Sequence, residues 1–423
     1  MSITLDYSYL KGFVEEKDFT SLLPLVEKAH NDLEKKKGPG REFTGWIDLP
    51  SRIEDSFLSE LEQFGKEVRG HSDCLVSIGV GGSYLGIKAV LDYVRNKVKL
   101  PVYFAGHNIN SDYTHDLLEE LKDKKPTVVV ISKSGTTTEP ALAFRLLKDF
   151  MKKKYSANEL KKRIVCVTDA KKGALRAIAD ENGFQSFEIP DDVGGRFSVL
   201  TSVGLVPLAM TGVDIRLLVA GARQGQKEYG AADIKKNISY QYAASRYLLF
   251  KKGKAIEVLS SFYDNMASVA AWWQQLFGES EGKGGKGIYP SSQILSTDLH
   301  SMGQLMQEGA RNIFETFLMI DKPEHQVTIP KEEKDIDGFN CVAGKDLDFV
   351  NKQAYKATAA AHFEGGVPNM TLTLGKADLH HLGQLFYFYE KAVAMSGYLL
   401  GVNPFDQPGV EAYKKKMFAL LGK

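Results

Sequence analysis

Three features of the chain predict an α/β fold, built as two three-layer α/β/α sandwiches with mostly parallel sheets plus terminal helices. Short β-branched runs alternate with longer segments of helical period from Asp73 onward. A Gly-rich connection after Asp191 interrupts the alternation, and a second round follows it. At 423 residues the chain exceeds what one hydrophobic core organises well, so two domains are the natural expectation.

The first 70 residues read as helical and charged, with a loop at Lys37-Gly38-Pro39-Gly40. Cys74–Gly79, Val102–Ala105, Val128–Ile131 and Arg163–Thr168 read as buried strands, each followed by a helix-period stretch. That order predicts a parallel sheet covered on both faces. After the break come helical stretches near 214–229 and 232–251, then strands at Ala255–Ser260, Phe314–Ile320 and Met370–Leu374. Helices are expected near 298–309, 345–364 and 377–399. The segments implied are 1–70, 71–212, 213–400 and a terminal helix in 401–423.

Composition narrows the function. The chain is 43% apolar and 25% charged with a net charge of +1. Such a balance offers no global field for nucleic acid or membrane, and any anion must be held by a local site. Cys74, Cys166 and Cys341 are dispersed and lie in apolar stretches, which suggests reduced core thiols. Met1–Tyr7 lacks a basic and apolar leader pattern, and no run reaches the ~20 apolar residues of a membrane span. A soluble cytoplasmic protein is expected.

Gly79-Val80-Gly81-Gly82-Ser83 follows the first strand and opens a helix. A dinucleotide fingerprint needs glycine at 84, where Tyr84 stands, and an acid after the next strand, where Ala105-Gly106-His107 stands. Both requirements fail. A glycine-rich turn able to meet an anion remains. Ser132-Lys133-Ser134-Gly135-Thr136-Thr137-Thr138-Glu139 is the stronger anion signal, with five hydroxyl residues and a glycine ahead of a helix. One Ser or Thr would suffice as a cap, whereas several donors suit a phosphate monoester.

Other segments carry acid–base chemistry. Glu279 and Glu281 stand in the Gly-rich run Gly278–Lys286, which read alone is a solvated turn. Arg196 lies between Gly194-Gly195 and Phe197-Ser198. It suits either an ion pair with Asp191 or Asp192, or a cation beside a ligand. His300 near a helix start is ordinarily a structural or surface residue. His380-His381 is a poor metal pair, because adjacent helix residues point ~100° apart and no third ligand is evident nearby. Near the C-terminus, Asn403-Pro404 stops one helix and Pro408 opens another, so Gln407 and Lys414 project from roughly one side of it.

Taken together and in this order, the motifs from Gly79 to Lys414 resemble the glucose-6-phosphate isomerase (phosphoglucose isomerase) family in its compact bacterial type. The resemblance implies two sugar-isomerase domains that interconvert glucose 6-phosphate and fructose 6-phosphate in glycolysis and gluconeogenesis. It implies that Ser132, Ser134, Thr137 and the amide of Lys133 hold the phosphate, with Gly82 and Ser83 near the sugar. It makes Glu279, in a Glu-Ser-x-Gly-Lys pattern, the C1/C2 proton carrier, with Glu281 a bystander. Gln275 and Gln407 then contact substrate, Arg196 faces the enediolate, and His300 with Lys414 opens the ring. Gly135 and Tyr84 depart from the animal forms. No metal or organic cofactor is implied. The expected assembly is a homodimer or higher oligomer in which His300 enters the partner's site. A non-catalytic phosphosugar-binding regulator on the same sandwich would keep Ser132, Ser134 and Thr137. It would not need Glu279, Arg196, His300 and Lys414.

Overall fold

The computed structural model describes residues 2–422, so Met1 and Lys423, the outer limits of the first and last expected segments, lie outside it. The chain opens with strand β1 (Thr4–Asp6), which the helical reading of the N-terminus had not anticipated. β2 (Cys74–Ile78), β3 (Val102–Ala105), β4 (Pro126–Ile131), β5 (Ile164–Thr168) and β6 (Gln185–Glu188) form one fully parallel sheet in the order β3-β2-β4-β5-β6. A second sheet contains β7 (Ile256–Ser261), β8 (Tyr289–Ile294), β9 (Ile313–Ile320) and β10 (Asn369–Leu374), in the order β1-β10-β9-β7-β8. Only β1 runs antiparallel there, with Leu5 opposite Leu372.

The central strands are runs of Val, Ile, Leu and Phe because both faces are covered, and β2, β4, β5 and β9 are buried throughout. β1, β6 and β8, absent from the sequence-based expectation, are all edge strands. An edge strand needs little apolar surface and can carry a proline, as β8 does at Pro290. Other differences are local. The helix expected from 232 begins at Ile238, where the Asn237 side chain accepts the amides of Ser239 and Tyr240. The stretch expected as a helix over 298–309 is a 3-10 turn, Thr297–His300, followed by the helix Gly303–Glu308.

One continuous core joins the inner faces of both sheets, with Leu75 and Val129 in the same cluster as Leu259 and Phe314. Its spine is the helix Leu379–Leu400, buried along almost its whole length and packed on the helices Ile215–Glu228, Ile238–Lys251 and Ala267–Glu281. The outer face of the first sheet has its own core of Cys74, Val76, Ile78 and Cys166 under Phe144 and Leu147. Burial pushes the Cys74 and Cys166 thiols up to about 12, which leaves them inert. Cys341 is not a core thiol. It lies exposed in the turn Phe339–Val342. Among the described residues no helix is long and apolar enough to cross a membrane.

Candidate active site

In the first sheet the connection from β2 leads to β3 on one side, while the connection from β4 leads to β5 on the other. Between such strands a crevice opens at their C-terminal ends. Both glycine- and hydroxyl-rich motifs, Gly79–Ser83 after β2 and Ser132–Thr138 after β4, flank it. In the second loop Ser132 Oγ accepts the amide of Gly135 at 3.0 Å, and Ser134 Oγ accepts that of Thr136 at 3.1 Å. Each hydroxyl is thereby oriented with its proton still able to donate. Thr137 occupies the N-cap of the helix Thr138–Lys154, yet its side chain makes no capping bond. The hydroxyls are therefore not consumed by the helix start. Lys133 extends to Asp191 at 2.6 Å, so its side chain is committed while its amide remains with the loop. A cavity of about 460 Å³ beside this loop is lined by Ser132, Gly135, Thr136 and Phe418 of the C-terminal helix.

The helix Gly82–Val94, which starts at the first motif, packs on the helix Ala267–Glu281 of the second unit. Close approach explains the glycines. A Cβ on Gly82 would stand 2.0 Å from the Gly195 carbonyl oxygen. Gly81 adopts φ +57°, and a Cβ there would come within 2.9 Å of Gln275 Nε2. Gly82→Ala must push the Arg196 turn away from the helix start, and we expect it to cost roughly 1–3 kcal/mol, as overpacking does. Gly70→Ala, where a Cβ meets nothing within 4 Å, serves as the control. Thermal denaturation of the two variants checks this, with a lowered Tm expected only for Gly82→Ala.

Arg196 lies at the seam, 2% exposed. Its Nε donates to Ser280 Oγ at 2.8 Å, and its Nη1 donates to Gln407 Oε1 at 3.0 Å and Glu279 Oε2 at 3.3 Å. Nη2 donates to the carbonyls of Pro404 at 2.6 Å and Asp406 at 3.0 Å. Only the planar fork of arginine can meet five such groups. Burial pulls the guanidinium below the usual arginine value, while the charges of Glu279 and Asp406 oppose that shift. The expected alternative, a pair with Asp191 or Asp192, is not what forms. Those aspartates pair with Lys133 and Arg52 instead.

Glu279 keeps about a third of its side chain exposed, with its second oxygen held by Gln275 Nε2 at 3.1 Å. A carboxylate gripped from two sides and open on a third is the geometry a proton carrier needs. Lys283, the lysine of the Glu-Ser-x-Gly-Lys pattern, closes the arrangement. Its Nζ donates to the Ser280 and Asn403 carbonyls and pairs with Asp406 at 3.1 Å. Ser280 and Lys283 entered the sequence reading only as parts of the Glu-Ser-x-Gly-Lys pattern, and Asn403-Pro404 only as a helix break; neither group was given a place in the site. The signal left unused was the aromatic beside the Pro404 break, since Phe405 packs into Trp46 and Phe197 and anchors the segment there.

Several expectations need correction. Glu281 is not on a solvated turn: it is fully buried and ion-paired to Arg246. Gln407 precedes the terminal helix Gly409–Leu420 and turns toward Arg196, whereas Lys414 lies within that helix and pairs with Glu411 at 2.7 Å. The two do not share a helix side. His300 is exposed at the end of its turn. Among the described residues no hydrogen bond or ion pair joins His300 or Lys414 to Glu279 or Arg196. His380 and His381 do have a third neighbour, for Asp378 brings its carboxylate within 4.8 Å of both rings. That carboxylate is the N-cap of the helix Leu379–Leu400 and accepts the His381 amide at 2.9 Å.

Two mainly parallel sheets, a hydroxyl-rich loop at a crossover and an arginine–carboxylate pair at the seam define a phosphosugar-isomerase class of α/β protein. The structure of a glucose-6-phosphate isomerase from Chlamydia trachomatis shares this fold, with a TM-score of 0.84 and 20% identity over 100% of this chain and 88% of that one. A hypothetical protein from Thermus thermophilus superposes with a TM-score of 0.89 at 29% identity, covering 100% of both chains. At closer range, the glucose-6-phosphate isomerase of Heliobacterium modesticaldum is 50% identical, covering 100% of this chain and 96% of its own. The phosphoglucose isomerase family profile matches residues 62–420. The chain belongs to the phosphoglucose isomerase family. That membership supports the isomerase reading and not the non-catalytic regulator.

Proposed function

We propose that this site interconverts glucose 6-phosphate and fructose 6-phosphate, with Glu279 carrying the proton between C1 and C2. The observation that carries the reading is the Arg196–Glu279 contact, a buried cation beside a half-open carboxylate. In the open-chain aldose, Glu279 removes the C2 proton and negative charge develops on the C1 oxygen. Arg196 supplies the compensating cation to the resulting enediolate. The same carboxyl group returns the proton to C1, and the hydroxyl proton moves from O2 to O1, which gives the ketose. Ser132, Ser134, Thr137 and the Lys133 amide take the phosphate, Gly82 and Ser83 the sugar, and Gln275 and Gln407 set the oxygens around Glu279 and Arg196. His300 and Lys414 serve ring opening.

A coupled assay with fructose 6-phosphate tests the activity, and a binding protein without turnover would overturn it. Replacing Ser132 and Thr137 with Ala is expected to raise KM about 10-fold or more. Each variant removes a donor to a charged oxygen worth roughly 1.5–3 kcal/mol. Some loss of kcat is expected too, because remote binding positions the reacting carbons.

His300 is exposed, and among the described residues no hydrogen bond or ion pair joins it to Glu279 of its own chain, which suits a role in a partner's site within a homodimer. A mixture of Glu279→Gln and His300→Ala subunits, unfolded and refolded together, tests this. Random pairing makes about half the dimers mixed, each with one intact site, so activity returns to roughly a quarter of wild type. Heterodimers that form but remain inactive would place His300 in its own subunit's site.

A further inference from the structure

A fully buried charge cluster is tied to the same helix turn as Glu279. Arg246, from the helix Ile238–Lys251, is fully buried between Glu281 of the Glu279 helix and Glu257 of β7. Its Nη1 and Nη2 grip the two Glu281 oxygens, Nη1 also donates to Ser396 Oγ at 2.9 Å, and Nε donates to Glu257. Tyr242 and Thr316 donate to the other Glu257 oxygen at 2.6 and 2.7 Å. The guanidinium also lies 4.1 Å from the ring centre of Phe277, on the same helix as Glu281.

Such a cluster is poor evidence for stability alone, because buried ion pairs often contribute no more than well-packed apolar residues. Its position is the informative fact. Glu279 stands two residues from the end of the helix Ala267–Glu281, where helices fray, and glycines 282, 284, 285 and 287 follow. Among the described residues the Glu279 carboxylate makes only the Gln275 bond and a 3.3 Å contact with Arg196. The rigidity of this last turn must come from its neighbours. Ser280 is pinned by Arg196 on the cleft side, and Glu281 is pinned by Arg246 on the core side. Glu281 Oε2 also accepts the Ile288 amide at 3.4 Å, which ties back the far end of the glycine loop.

We propose that Arg246 and Glu281 are positioning residues for catalysis: through this buried grip they hold the last turn of the helix so that Glu279 meets the C1–C2 edge of the substrate. Neither touches substrate. The inference rests on Glu279 being the proton carrier.

The test compares Glu281→Gln, Arg246→Lys and Glu279→Gln with wild type in the intact protein. Loss of the grip shifts the base by a fraction of an ångström to about 1 Å, so kcat per folded enzyme is expected to fall roughly 10- to 100-fold. The KM for fructose 6-phosphate should stay within about threefold, because the phosphate contacts are elsewhere. The deuterium isotope effect on kcat with glucose 6-phosphate labelled at C2 should rise, since a misplaced base makes proton transfer more nearly rate-limiting. Trypsin should cut faster at Lys283 and Lys286 in the loosened loop. A purely structural role lowers Tm without moving the isotope effect. Wild-type kcat and isotope effect in folded Glu281→Gln, with Glu279→Gln inactive, would overturn the positioning role alone. An active Glu279→Gln would overturn the assignment of the base beneath it. Should Glu281→Gln fail to fold, Arg246→Lys carries the same measurements, because it keeps the charge and loses the two-pronged grip.

Discussion

Glu279→Gln is expected to lower kcat by at least about 10³-fold, toward the upper end of what a positioned base contributes, while sugar-phosphate affinity stays near wild type. The amide keeps the shape of the side chain: its oxygen can accept from Arg196, and its NH2 can donate to Gln275 Oε1 once that amide turns over, so the loss isolates the proton transfer from the packing. Two measurements check it: turnover in the coupled assay and exchange of solvent tritium into substrate. Exchange at the wild-type rate in the variant would place the base elsewhere.

The second large effect belongs to Arg196→Ala, and the structure gives it two parts. Transition-state stabilisation lost with the guanidinium should cost kcat roughly 10²–10³-fold, on the scale of a lost oxyanion donor. The same substitution leaves the Pro404 and Asp406 carbonyls and Ser280 Oγ without their donor. Each buried acceptor left unpaired costs roughly 1–3 kcal/mol, so Tm falls as well. Arg196→Lys separates the parts. It restores the charge but cannot bridge five groups, so kcat recovers partly while the segment 403–407 stays loosened. A variant with wild-type Tm and reduced kcat would show that the backbone contacts are dispensable. A variant with lowered Tm and wild-type kcat would remove Arg196 from the chemistry.

These two residues also mark how far the chain could be read without its structure. The inner strands were visible because Val128–Ile131 and Phe314–Ile320 are buried on both faces, and burial writes itself into composition. β1, β6 and β8 were not visible, because a strand at an edge can be polar and short. The hydroxyl run at 132–138 was legible as an anion loop, since all its donors are local in the chain. Glu279, Arg196, Gln275 and Gln407 could each be named from motif resemblance, and in the structure a chain of hydrogen bonds runs from Gln275 through Glu279 and Arg196 to Gln407.

Local patterns are legible in the residue order alone: where the chain extends, where it turns, and where hydroxyl donors or carboxylates stand close together along it. Which charges share a partner depends on how distant segments pack. Glu281 read as a solvated turn residue because its glycine-rich surroundings are all that neighbouring residues reveal. It is buried because Arg246, 35 residues earlier in the chain, reaches it across the core. Arg196 had aspartates close by in sequence and chose Glu279 and Gln407, 83 and 211 residues away. The physical reason is one of range. Backbone conformation is set within a few residues by sterics and hydrogen bonding. The worth of a charge depends on the solvent and counter-charge around it, and these exist only once distant segments have packed.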